Sequence, residues 1–303
     1  MSSSWLVKGG NPLQGVLTAS GSKNAALPIL AATLLTDGRV TLRNCPDIRD
    51  VRSMTGLLKD LGATVNTDPS GSVEVTASRV DPENLNDCLS REIRASILLA
   101  GPLVARTGLI ELPPPGGDVI GRRRLDTHFL VLEKLGATVT FRNRMIRVEA
   151  PNGLRGTEMH LDEPSVTATE NAIMAAAVAK GTTVIYNAAC EPNVQDLAKM
   201  LIGMGASIQG HGTNRIVIHG AKGLLGGTTH TICPDHIEIG SFIGLAACCR
   251  GQVTIPEVPE DIITPTMIGL GKLGVSVIHE GVPSPYPESR TSRFSRTGAA
   301  PYR

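Results

Sequence analysis

Residues 23–43, Lys-Asn-Ala-Ala-Leu-Pro-Ile-Leu-Ala-Ala-Thr-Leu-Leu-Thr-Asp-Gly-Arg-Val-Thr-Leu-Arg, decide the fold, because their pattern returns three more times. A helix-like run of small apolar residues, KNAALPILAATLL, reaches a glycine and then a β-like stretch, RVTLRN. REIRASILLAGPLVA, TATENAIMAAAVA and HIEIGSFIGLAACC repeat the plan, followed by LIELP, TTVIYN and QVTIPEV. The glycines are Gly38, Gly108, Gly181 and Gly251, spaced 70, 73 and 70 residues apart. A fixed period of this kind marks a repeat architecture.

Each copy continues into a second helical segment that ends in Leu61-Gly62-Ala63, Leu135-Gly136-Ala137, Met204-Gly205-Ala206 or Leu273-Gly274-Val275. A glycine in the left-handed region stops a helix and hands the chain to a strand. Alternating pairs follow: ATVNT with SVEVTA, ATVTF with MIRVEA, and ASIQG with RIVIHG read as hairpins. The first helix of each unit is apolar nearly all round, which predicts burial on every side. The second, as in RDVRSMTGLLKDLG, carries charge on one face and belongs nearer solvent. The unit is helix, strand, helix, hairpin, and it needs neighbours to bury both faces.

The fourth copy reads as cut short. After VSVIHEG comes VPSPYPESRTSRFSRTGAAPYR, rich in Pro, Ser and Arg without periodicity, and residues 282–303 are expected to be a disordered tail. An unpaired hairpin strand just before it points to truncation or a change of reading frame.

Composition narrows the function. The 303 residues carry a net charge of +1, so no global field favours nucleic acid or an acidic membrane surface. Six cysteines show no C-x-x-C pair and read as free thiols in a reducing compartment. The opening MSSSWLVKGG has no signal-peptide core, and no apolar run approaches about 18 residues. A soluble cytoplasmic protein, with no membrane partner, is expected.

Three segments break the apolar monotony with charge. Gly21-Ser22-Lys23-Asn24 opens the first buried helix, where backbone N–H groups and a lysine suit a phosphate or carboxylate. A capping serine beside a solvated lysine fits the same residues. Arg91 and Arg94 open the second buried helix; a guanidinium forks onto phosphate or carboxylate, or pairs with Glu92 or Asp87. The loop Pro113-Pro114-Pro115-Gly116-Gly117-Asp118-Val119-Ile120-Gly121 runs into Arg122-Arg123-Arg124-Leu125-Asp126-Thr127-His128 and can approach a ligand closely. Its arginines stand without aromatic platforms, which argues against nucleic acid. Glu170-Asn171, on an otherwise apolar helix, is either a core hydrogen-bonding pair or part of a sugar site.

Together these segments resemble the enolpyruvyl transferase family, in the branch whose acceptor is UDP-N-acetylglucosamine. The resemblance covers roughly residues 5 to 280 and rests on SGSKNAALPILAATLL, GGDVIGRRRLDTH, PSVTATENAIMAA and NAACEPNVQDLAKMLIGMGA. It implies an inside-out α/β barrel: domains of three units around buried helices, with substrates between two domains. Residues 22–231 would form the first domain, and residues 1–21 plus 232–281 a partial second one. The implied reaction moves the enolpyruvyl group of phosphoenolpyruvate to the 3'-hydroxyl of UDP-N-acetylglucosamine and releases phosphate, with no metal or organic cofactor.

By the same resemblance Lys23, Arg94 and Arg123 would hold phosphoenolpyruvate, and Asn24 would touch the sugar. Leu125, Asp126, Ser165, Val166 and Thr167 would line the uridine and diphosphate pocket. Asp118 stands where most members carry Cys; it can move a proton near the enolpyruvyl methylene but cannot form a thioether. Arg124-Leu125 stands where Pro-Val is usual, and Glu163 where a basic residue is common. Members of the family have six units, so this chain would lack an Asp and two Arg of the second domain. Alone it is then expected to be weakly active and to self-associate through exposed apolar surface. The alternative function is a non-catalytic nucleotide-sugar binder or a partner of a full-length paralogue.

Overall fold

The computed structural model describes residues 4–68, 71–117, 121, 124–280 and 289–295. Strand β1 (Gln14–Val16) is followed by helix α1 (Lys23–Ala32), which starts at Ser22 because the serine hydroxyl accepts from the Ala25 N–H. Residues 25–32 of α1 are all buried. The first repeat continues through β2 (Arg39–Arg43), α2 (Arg49–Asp60) and the hairpin β3 (Thr64–Thr67) and β4 (Val73–Thr76). In α2 the apolar positions Val51, Met54, Leu57 and Leu58 fall on one face and are buried, with Asp50 in the first turn and Lys59 in the last.

The second repeat departs from the single helix that its sequence suggests. It divides into α3 (Asp87–Glu92), a 3₁₀ stretch over Arg94–Leu99, and α4 (Ala100–Thr107). Pro102 explains part of this: it offers no N–H to the carbonyl of Leu98 and its ring crowds that carbonyl, so the turn before it tightens. Strand β5 (Leu109–Leu112), α5 (Asp126–Lys134), β6 (Thr138–Arg142) and β7 (Met145–Glu149) complete the repeat. After β8 (Glu158–His160) the third repeat holds α6 (Val166–Ala176), β9 (Thr182–Tyr186), α7 (Pro192–Gly203), β10 (Ser207–Gln209) and β11 (Arg215–His219), and β12 (Thr228–Thr231) follows.

Residues Gly21–Cys233 form one unit, the large one. Its helices α1, α4 and α6, with the 3₁₀ stretch, lie inside, and its sheets lie outside, which is the inside-out α/β arrangement. Apolar pairs in register line the inner faces: Val40, Val75 and Val65 in one sheet, and Ile110, Val148 and Val139 in another. The repeats are also laced together. Strand β8, from the end of the second repeat, pairs parallel with β9 of the third, and β12 pairs parallel with β2 of the first. Between the first and second repeats the 3₁₀ turn Pro82–Asn84 packs against β5 instead. At the ends of the second-type helices Gly62, Gly136 and Gly205 have φ of 99°, 96° and 101°, the left-handed turn their position calls for.

The small unit comprises Met1–Ser20 and Pro234–Arg303. It contains β1, α8 (His236–Cys248), β13 (Gln252–Pro259), α9 (Glu260–Gly271), β14 (Ser276–Glu280) and β15 (Ser289–Ser295). Its core is short: Ala19, Ile239, Ile243, Ala246, Val253, Ile255, Val258 and Ile263. Helix α8, expected to be buried all round like α1 and α6, packs on β13 and α9 and leaves Ile237 and Leu245 about half exposed.

A second correction concerns the tail. Residues 289–295, expected to be irregular, form β15, which pairs antiparallel with both β13 and β14. Two strands with open edges each present unpaired N–H and C=O groups, and an extended, proline-free segment between them satisfies both. The rest of that tail, residues 282–288 and 296–303, lies outside the described residues.

Candidate functional site

The charged segments of the large unit meet around the starts of its buried helices. Lys23 and Asn24 are the first two residues of α1, both exposed, and no acidic residue stands in that first turn. A cation there opposes the helix dipole, whose N-terminal end favours anions, so the arrangement suits an anionic ligand. Lys23 Nζ lies 3.5 Å from Asp50 Oδ2 at the start of α2, where Arg49 Nη2 lies 3.3 Å from Glu92 Oε2.

Arg94 is half-buried and donates from Nη2 to the carbonyl of Arg124 at 3.1 Å. Nearby, Asp87 lies 4.0 Å from Arg91 and Glu92 lies 3.3 Å from Arg49. The glycines of the loop have a steric reason. A Cβ at Gly116 would fall 1.5 Å from the Arg91 carbonyl oxygen, and one at Gly117 (φ 92°) would fall 3.1 Å from the Arg94 nitrogen. Only glycine lets the loop lie flat against the backbone that carries Arg91 and Arg94. Asp118 and Arg123, the acid and the arginine singled out in this loop, lie outside the described residues.

Beyond the loop, Arg124 Nε pairs with Asp126 Oδ2 at 2.6 Å, and Leu125 packs against the core just before α5. Ser165 caps α6 by accepting from the Ala168 N–H, and Val166 and Thr167 form the first turn after it, half-buried. Glu163 is exposed, and its carbonyl accepts from the Ser165 N–H at 2.7 Å. One side chain ties α5 to α6: His128, 2% exposed, places Nε2 3.0 Å from Thr167 Oγ1 and Nδ1 2.9 Å from Asn171 Nδ2. Burial first, and the Arg94 charge second, push its pKa from 6.5 down to about 3, so the ring is neutral.

Of the polar pair on α6, both members serve the core. Asn171 accepts from the Gly101 N–H at 3.0 Å and donates to the Ile97 carbonyl at 2.9 Å. Glu170, 1% exposed, accepts from Asn193 Nδ2 at 2.9 Å, and burial pushes its carboxyl well above the ordinary range despite that bond. His128 itself was not singled out from the sequence. The signal was there: Thr127, His128, Val131 and Leu132 are the buried face of α5, at helical spacing. Among the described residues, no group of three or more His, Cys, Asp or Glu side chains could hold a metal ion. No described helix is long and apolar enough to cross a membrane.

The profile of the family described as EPSP synthase (3-phosphoshikimate 1-carboxyvinyltransferase) matches residues 7–285. The UDP-N-acetylglucosamine 1-carboxyvinyltransferase of Bradyrhizobium diazoefficiens is 48% identical over 290 residues, which is 96% of this chain and 67% of the relative. The chain belongs to the EPSP synthase family, in its UDP-N-acetylglucosamine 1-carboxyvinyltransferase branch. The enzyme of the same name from Treponema denticola is 48% identical over 94% of this chain and 66% of its own length. In Borreliella burgdorferi the figures are 50%, 84% and 59%. The chain thus spans about two thirds or less of the length of these relatives. Among solved structures, the enolpyruvyl transferase NikO from Streptomyces tendae superposes with a TM-score of 0.78 at 24% identity, covering 94% of this chain and 66% of that one. EPSP synthase from Acinetobacter baumannii follows at 0.72 and 18%, covering 95% and 66%. At these identities the two structures establish the fold alone.

Proposed function

We propose that the large unit of this chain carries residues of a site that transfers the enolpyruvyl group of phosphoenolpyruvate to the 3'-hydroxyl of UDP-N-acetylglucosamine. The observation that carries the reading is the placing of Lys23 and Arg94 at the openings of apolar buried helices, in a chain of this family. Both substrates are polyanions, and cations fixed before the substrate arrives stabilise developing charge without reorganising. In the reaction the sugar hydroxyl gives up its proton as its oxygen bonds to C2 of phosphoenolpyruvate, while the methylene carbon takes a proton. Phosphate then leaves and the methyl group returns a proton, restoring the double bond. Asp118 is assigned the proton transfer at that carbon, and Lys23, Arg94 and Arg123 the phosphate and carboxylate. Asn24, Leu125, Asp126, Ser165, Val166 and Thr167 are assigned the nucleotide sugar.

The reading places the protein in the cytoplasm, where both phosphorylated substrates are made, with neither nucleic acid nor membrane as a partner. Among the described residues, eight of the eleven large exposed apolar side chains sit in the small unit, among them Trp5, Leu6, Ile268 and Leu273, which supports self-association at high concentration. The test is phosphate release from phosphoenolpyruvate by the purified chain, with UDP-N-acetylglucosamine or shikimate 3-phosphate as acceptor. Release that requires the UDP-sugar supports the assignment. Binding of the UDP-sugar without release would leave a nucleotide-sugar binder, and release with shikimate 3-phosphate alone would replace the acceptor.

A further inference from the structure

Three hydrogen bonds run in one direction from the core to the first turn of α6, and a fourth branches back from Asn171 to the Ile97 carbonyl. The Gly101 N–H can only donate, so the Asn171 atom facing it at 3.0 Å is the carbonyl oxygen, which fixes the amide's orientation. Asn171 Nδ2 therefore carries both amide protons, and it gives them to the Ile97 carbonyl at 2.9 Å and to His128 Nδ1 at 2.9 Å. Because His128 Nδ1 accepts, the neutral ring must carry its proton on Nε2, which faces Thr167 Oγ1 at 3.0 Å. Thr167 is then the acceptor in that bond, and its own hydroxyl proton is left for another partner.

Resting on the proposed function, we propose that His128 is a positioning residue for the nucleotide-sugar site. By donating Nε2–H to Thr167 Oγ1 it turns the threonine's own proton outward, to be given to an anionic oxygen of the bound diphosphate. The surroundings agree with that role. Thr167 is half-buried at the opening of α6, next to the capping Ser165, while His128 and Asn171 are closed off from water. A hydroxyl whose oxygen already accepts a hydrogen bond is a stronger donor, because such chains polarise one another. Asn171 also joins α6 to the 3₁₀ stretch that begins at Arg94, so the same relay sets α6 against the element that carries the second candidate cation.

The experiment is isothermal titration of the full chain with UDP-N-acetylglucosamine, in the parent protein and in Thr167→Val, His128→Phe and His128→Gln. Thr167→Val keeps the shape and removes the hydroxyl; it should weaken binding roughly tenfold, the loss of one hydrogen bond to a charged oxygen. His128→Phe should weaken it by a similar factor, and the double variant by no more than either single one. His128→Gln, whose amide nitrogen can reach the Nε2 position, should restore most of the affinity. Thr167→Val binding as tightly as the parent overturns the proposal, and so do losses that simply multiply in the double variant. Should His128→Phe fail to fold, Thr167→Val and His128→Gln still decide. A parent protein that does not bind the UDP-sugar would instead sink the functional reading on which the proposal rests.

Discussion

Helices α6 and α8 are written in nearly the same alphabet, yet they live in different surroundings. TATENAIMAAAVA and HIEIGSFIGLAACC are both apolar almost all round. In the large unit α6 is enclosed by α4, α5, α7 and α1, and nine of its eleven residues are buried. In the small unit α8 buries only Ile239, Ile243 and Ala246 of its thirteen. A helix pattern therefore encodes how many faces can be covered, while the number of neighbours decides how many are. Stability should be distributed accordingly, because burial of apolar area is the dominant favourable term.

The sharpest test is a matched pair of truncations. Leu30→Ala in α1, at a fully enclosed position, should cost about 2–5 kcal/mol in denaturant unfolding. Leu245→Ala in α8, where the side chain is half exposed, should cost well under that. Equal losses would break the comparison.

Buried titratable groups of the large unit give two further tests of opposite sign. The His128 pKa lies below its ordinary value, so the unfolded chain binds the extra proton first as pH falls. The stability is fully present above about 6.5 and is lost down to about 3, with a slope approaching 1.4 kcal/mol per pH unit. In His128→Gln that part of the slope should vanish, which urea midpoints across pH 3–7 would reveal. Glu170 is raised, so its contribution is present below about 4.5 and is lost as pH climbs toward its folded-state value. Glu170→Gln, which keeps an acceptor for Asn193, should therefore gain on the parent protein in melting temperature as pH rises from 5 to 8. The smallest expected effect is in amide exchange without any mutation, where α8 should open sooner than α6.

The repeat, the order of elements within it and the glycine stops were legible because they depend on local periodicity and on φ at one residue. Strands β8 and β12 were not. EMH and TTHT carry almost no apolar pattern, and their conformation is set by the partner strands β9 and β2. Nor was the 3₁₀ stretch before Pro102, the exposed face of α8, or β15, all of which depend on what lies alongside. In the candidate site, Lys23 and Arg94 were legible as charge at the opening of apolar helices. The burial of His128 was legible in the spacing of α5, but its role was not, because that role comes from two partners, Thr167 and Asn171, that lie 39 and 43 residues away.

The central claim is that the large unit presents a polyanion site at the starts of its buried helices. Amide hydrogen exchange of the chain with and without UDP-N-acetylglucosamine tests it most directly. The account predicts added protection at residues 23–26, 91–96, 124–128 and 165–168, with the second half of α8 unchanged. Protection confined to other segments, or none at saturating ligand, would contradict it.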